Sequence, residues 1–197
     1  SAELSVDQKI SLAIDINNLS PKNCSNIQYP ISDSAKIEVG GLLFETLMLS
    51  GNKDIACRNC HLDEFGSADG LPLAVGVGGV GAGDARYNHG KGILVQRNAI
   101  SMMGRGLINF ENYFWDGKLD ASTENNTISQ FGALLSQKFD APLSVAAILP
   151  LIERDEFIGK KSIFGENDFQ KSIGDKLYQQ RYYALSKEIR KRIVHDP

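Results

Sequence analysis

Hydrophobic positions along the chain recur mostly at helical spacing. From Ser34, apolar residues fall at Ile37, Leu42, Phe44, Leu47, Met48 and Leu49. That spacing predicts a helix capped by Ser34 and running to about Leu49, where Gly51 and Asn52 stop it. A shorter helix is predicted near Asp7–Ile16, followed by a loop with Pro21 and Pro30. Asp140, with Pro142 near the first helical position, starts another helix through about Ile152. The last predicted helix spans about Asn167 to Val194 on a stripe of Phe169, Ile173, Leu177, Ala184, Leu185, Ile189 and Ile193. Arg190, Lys191 and Arg192 suit its C-terminal end. No stretch alternates persuasively and no repeat is visible. The expected class is mainly α.

Between these helices the pattern breaks down. Residues 62–96 are rich in glycine, with Gly76, Gly78, Gly79, Gly81 and Gly83 close together. Gly76, Gly78 and Gly81 spell G-x-G-x-x-G, which binds dinucleotides only between a strand and a helix. The following Gly83–Gly90 starts no helix, so the glycines instead predict a loop passing close to a flat ligand. Trp115-Asp116-Gly117 marks a turn after the aromatic residues Phe110, Tyr113 and Phe114.

Composition narrows the function. The 197 residues are 42% hydrophobic, enough for a packed core and consistent with one domain. A balance of 21 basic to 24 acidic residues, net charge -3, argues against nucleic acid as a partner. No apolar run is long enough for a membrane span. Ser1–Ile10 lacks the basic-then-apolar layout of a signal peptide.

Three cysteines are too few for a disulfide scaffold. Two lie in Cys57-Arg58-Asn59-Cys60-His61, the attachment pattern of c-type haem. In that chemistry two thiols add across the porphyrin vinyl groups and the adjacent histidine ligates the iron. A redox CxxC would want a βαβ context, and zinc would want two more ligands from His89, His195 or the distant Cys24. One covalent haem c is the expected cofactor, and the chain is expected to be a mature periplasmic protein, since bacteria attach haem outside the cytoplasm.

Longer segments then resemble the bacterial di-haem cytochrome c peroxidases and the related enzyme that matures the tryptophan-derived quinone of methylamine dehydrogenase. The resemblance covers roughly residues 35–197, leaving 1–34 as an N-terminal extension. It rests on Gly41-Leu42-Leu43-Phe44, Leu49-Ser50-Gly51 and Ile55–His61, then Phe65-Gly66 and Asp69–Pro72. Arg97-Asn98-Ala99 resembles the family's Arg-Asn-Ala-Pro, with Ile100 in place of proline. Phe114-Trp115-Asp116-Gly117-Lys118 resembles Phe-Trp-Asp-Gly-Arg, and Pro150–Gly159 resembles the segment carrying a distal glutamate.

This resemblance implies a cytochrome c-like haem domain with long glycine-rich loops, in which Cys57 and Cys60 hold the peroxide-binding haem and His61 is its proximal ligand. It implies that Glu156 moves a proton between the peroxide oxygens. Taken alone, Glu156 is one more charge in the run Glu153–Glu156. Trp115 would relay electrons between two haems, although by itself it reads as core or rim packing. Arg97 falls among the cofactor-binding positions, and the Asn98 carbonyl would face a calcium ion. The implied partners are a second haem domain or subunit, a small electron donor such as a cytochrome c or cupredoxin, and hydrogen peroxide.

The departures are specific. Val77 stands where many members carry a second axial histidine, which implies a five-coordinate iron; His89, Met102 and Met103 are the substitutes to consider. Ala146 stands at the position of a distal glutamine, removing a hydrogen-bonding group. No second CxxCH occurs. The chain is therefore expected to be the peroxide-facing half of a peroxidase or, alternatively, a non-catalytic monohaem module for electron transfer or ligand binding.

Overall fold

The computed structural model describes residues 33–89, 91–107, 110–121, 128–129, 139 and 141–195. The predicted helix near Asp7–Ile16, the extension before residue 33, Cys24 and Asp140 lie outside the described residues. The described part is mainly α, as expected. Its helices are α1 (Ser34–Glu45), α2 (Pro142–Ile148), α3 (Lys161–Phe164), α4 (Asp168–Ile173) and α5 (Tyr178–His195), with one strand pair, β1 (Leu119–Asp120) and β2 (Ile128–Ser129). The strands run antiparallel, Leu119 opposite Ser129 and Asp120 opposite Ile128. At two residues each they are too short for alternation to reveal them.

Helix boundaries differ from the sequence expectation at several points. Asp33, not Ser34, caps α1, its carboxylate accepting from the backbone N–H of Ala35 at 2.8 Å. Helix α1 ends at Glu45, and Thr46 then caps a separate 3₁₀ turn, Leu47–Leu49. Pro142 does open α2, but a 3₁₀ turn at Pro150–Ile152 replaces its last predicted turn. The C-terminal helix is two helices. Asn167 and Gln170 form a capping box at the start of α4, and Gly174, at φ 46°, ends it. Leu177, which falls in the break between the two helices, and Ile193 of the predicted apolar stripe are solvent-exposed.

Two apolar clusters result. The larger joins Tyr113, Leu119, Leu149, Ile158, Phe169 and Leu185. The smaller holds Leu49, Ile55, Val77, Ile93 and Phe157, and both Cys57 and Cys60 pack against it. Ile189 of α5 touches both clusters. Apolar burial therefore fixes the attachment motif to the C-terminal helix.

The glycine-rich segment owes its composition to backbone approach. Gly76 lies against the Asp155 carbonyl so closely that a Cβ would overlap it, and a Cβ at Gly79 would meet the Arg86 side chain. Val77 N–H donates to Asp155 O at 3.3 Å, and the buried Arg86 donates to the carbonyls of Val75 and Gly76 at 2.7 and 2.8 Å. Gly76 and Gly79 thus serve chain-on-chain packing. Gly76→Ala is expected to cost about 1–3 kcal/mol of stability by overpacking, read as an earlier urea midpoint at unchanged slope; an unchanged midpoint would mean that the loop yields.

Candidate haem and peroxide site

The attachment motif forms a 3₁₀ turn, Cys57–Asn59. Asn59 accepts from Ala56 N–H at 2.7 Å and its amide reaches Gly81 O at 3.1 Å, so the turn is tied to the glycine-rich loop. Cys60 N–H and His61 N–H both donate to Cys57 O. The two thiols and the imidazole therefore come from one compact turn.

All three line a cavity of about 1070 Å³. This is at the upper end of the roughly 300–1,000 Å³ usual for small-molecule sites, and suits a large flat ligand. Its wall also includes Phe44, Ala146, Phe114, Trp115, Lys118 and Glu156.

His61 Nδ1 lies 2.9 Å from Ser67 O. A carbonyl can only accept, so a neutral ring that donates to Ser67 carries its proton on Nδ1, and Nε2 is then the nitrogen that a metal would use. Burial lowers the pKa of His61, against the pull of backbone hydrogen bonds to Ser67 and Ile100 and of Asp69, and so favours the neutral ring that ligation requires. Both cysteines are free of a disulfide. Burial pushes Cys57 up to about 11 and Cys60 up to about 12. Redox CxxC motifs lower a thiol's pKa instead. Two thiols of raised pKa beside a neutral imidazole thus suit a covalently attached haem better than a dithiol redox centre.

Glu156 sits on a π-helical turn, Arg154–Ile158, closed by Ile158 N–H to Glu153 O at 3.0 Å. The wide turn buries Phe157 and Ile158 in the two apolar clusters and leaves Glu156 on the cavity wall. Burial raises the Glu156 carboxyl to about 7; Lys118 opposes this, while Glu153, Asp155 and Asp116 reinforce it. Lys118 stands 4.6 Å from the Phe114 ring centroid and 3.7 Å from Glu153 Oε1.

Trp115 belongs to the wall yet is 70% exposed. Next to it, Arg97 pairs with Asp116 at 2.9 Å. Burial would raise Asp116, but the Arg97 hydrogen bond, the Lys118 backbone N–H and the charges of both side chains together hold the carboxyl below its ordinary value. Asn98 and Met102 are exposed and belong to the wall; Met103 and His89 are exposed and lie off it. His89 instead meets Tyr87 edge-on at 5.5 Å. Val77 is fully buried in the smaller cluster, away from the wall. Ala146 is buried on the wall. Lys118 and Ser67 acquire their relation to the site from tertiary placement. The sequence signals were only an FWDG-K segment and a serine after Phe65-Gly66.

A family model for di-haem cytochrome c peroxidase matches residues 34–189. The chain belongs to that family. Among curated proteins it is similar to "Cytochrome-c peroxidase IdrP2" from Denitromonas iodatirespirans, with 26% identity over 136 residues, 64% of this chain. The match spans a third of that relative, 33% of its length. No solved structure matches significantly. Di-haem cytochrome c peroxidases carry c-type haem, and Cys57, Cys60 and His61 offer its attachment chemistry here. No helix among the described residues is long and apolar enough to cross a membrane.

Proposed function

We propose that the chain is a cytochrome c-like, peroxide-binding haem domain of a periplasmic di-haem peroxidase. It would reduce hydrogen peroxide, or use it for an oxidation, with electrons relayed from a second haem domain or subunit. The observation that carries this reading is one cavity bordered by Cys57, Cys60 and His61 together with a half-buried glutamate whose pKa is raised to about 7.

Bound haem would supply an iron that coordinates peroxide and exchanges electrons. The rest falls to the chain. Cys57 and Cys60 would hold the macrocycle covalently, and the Ser67 carbonyl would orient His61 through Nδ1. Near neutral pH, Glu156 exists in both protonation states and is suited to taking a proton from one oxygen and giving it to another. Lys118 restrains the rise in its pKa. Trp115, exposed at the wall, would face the electron supply, while Arg97 with Asp116 would brace that edge. Ala146 offers no hydrogen bond, so proton handling rests on Glu156. Asn98 is the residue on which a calcium between haem domains would draw.

The test is production of the chain with c-type haem maturation, followed by mass, haem count and ferric spectrum. The expected result is one covalent haem, high-spin and five-coordinate, whose spectrum changes on adding hydrogen peroxide. A low-spin, six-coordinate haem inert to peroxide would overturn the catalytic reading in favour of an electron-transfer module.

A further inference from the structure

We infer that Ser101 is a positioning residue for the proximal histidine, fixing through the Gly66–Ser67 peptide the Ser67 carbonyl that accepts the His61 Nδ1–H hydrogen bond. The inference rests on the reading of His61 as an iron ligand. It goes beyond that reading by assigning control of the ligand's donor strength to a side chain forty residues further along the chain.

The loop after His61 is narrow. Leu62 pairs with Ala68 across an isolated bridge, and Leu62 O accepts from Phe65 N–H at 3.1 Å and Ser67 N–H at 2.8 Å. Closing it requires two consecutive left-handed residues, Gly66 at φ 62° and Ser67 at φ 61°. Glycine adopts that conformation freely, whereas serine does not. The loop's own bonds hold the Ser67 N–H, and the Gly66 carbonyl of the same peptide takes a contact from outside the loop. Ser101 supplies it, its hydroxyl donating to Gly66 O at 2.6 Å.

Ser101 is itself anchored. Its Oγ accepts from Met103 N–H at 3.2 Å, and its carbonyl accepts from Arg105 Nε. Arg105 in turn donates through Nη1 to Asn112 O at 3.2 Å and Tyr113 O at 3.0 Å. The bracing thus runs from the buried Tyr113 through Arg105 and Ser101 to the peptide beside the His61 acceptor.

An Nδ1–H···O=C bond pushes electron density toward Nε2 and makes the imidazole a stronger donor to ferric iron. Without the Ser101 hydroxyl, the Ser67 carbonyl is released to drift and the donor weakens. The ferric state loses more than the ferrous, so the reduction potential rises.

The experiment is a spectroelectrochemical titration of the haem-loaded full chain, comparing wild type with Ser101→Ala, Ser101→Cys and Ser101→Thr. Ser101→Ala is expected to raise the midpoint by up to a tenfold change in the ferrous-to-ferric ratio, about 59 mV for one electron. Ser101→Thr, which keeps the hydroxyl, should restore the wild-type potential, and Ser101→Cys, a weak donor, should fall between. A folded Ser101→Ala protein with the wild-type potential overturns the inference, as does a threonine variant shifted as far as alanine. Should alanine fail to fold, an unshifted Ser101→Cys overturns it equally. Failure of the wild type to acquire haem would sink the underlying reading instead, and shows in the haem count before any variant is compared.

Discussion

Glu156→Gln is expected to slow the reaction of the haem-loaded chain with hydrogen peroxide by about 10²–10⁴-fold, the usual worth of a positioned proton-transfer group. The glutamine keeps the size and polarity of the side chain and removes only the titrating proton site. In its basic form Glu156 would accept the first peroxide proton, and burial raises its pKa to about 7. The wild-type rate should therefore climb about tenfold per pH unit below 7 and level off above it. The Glu156→Gln rate should be flat across that range. Stopped-flow rates from pH 5 to 9 decide it, and a variant within twofold of wild type at every pH would remove Glu156 from the chemistry.

The same carboxyl makes a prediction for folding. The folded protein holds its proton up to about 7, whereas the ordinary glutamate value is 4.5. Between those values the native state binds more protons than the unfolded one, so stability falls as pH rises. The cost complete at pH 8 is roughly 3 kcal/mol. Glu156→Gln should abolish that slope and be the more stable protein at pH 8. Equal urea midpoints there would contradict the burial of the charge.

Arg192→Leu is expected to destabilise the fold by about 3 kcal/mol or more, with a fall in Tm of roughly 6–12 °C for a chain of this size. Arg192 is 9% exposed and lies 4.0 Å over the Phe169 ring. It donates to Met48 O and Gly51 O at 3.0 Å each, and also to Ser50 O, from the far end of α5. The leucine removes the guanidinium from all three carbonyls, of which Ser50 O keeps the Lys53 N–H. Its pair with Asp168 contributes less, because that carboxylate is 47% exposed and screened by water. Arg192→Lys should not rescue, since an ammonium lacks the planar fork that serves several acceptors at once. Thermal melts of the two variants check this, and a wild-type melting point for Arg192→Leu would show the clamp to be dispensable. Because Met48–Gly51 leads directly into Ile55–His61, slower or incomplete haem attachment should accompany the loss.

The site was legible where its chemistry is local in sequence. Two thiols and an imidazole must be close in the chain to serve one porphyrin, so Cys57-x-x-Cys60-His61 can be read without a fold. Trp115 and Glu156 become candidates only through longer stretches resembling a family. Alone, one is an aromatic near a turn and the other a charge among charges. The pKa of Glu156 lay beyond any such reading, because it depends on the π turn that sets it against Lys118 and inside a cavity wall. The glycine cluster predicts a close approach to a ligand, and Gly76 does lie on the cavity wall; what the sequence did not reveal is that Gly76 and Gly79 also leave room for the Asp155 carbonyl and the Arg86 side chain. Gly174 hid inside an unbroken apolar period, since Ile173 and Leu177 keep helical spacing across the break.

By itself, the sequence determined the CxxCH motif, the mainly helical class and the family, because covalent geometry and helical periodicity operate over a few residues. Tertiary structure alone decided which face each of those residues presents. It buried Val77 in a core, put Ala146 and Glu156 on one wall, and joined Ser101 to the Gly66–Ser67 peptide. Those outcomes depend on desolvation and on hydrogen bonds between residues distant in the chain. Such terms acquire a value only when packing has excluded water from between the partners.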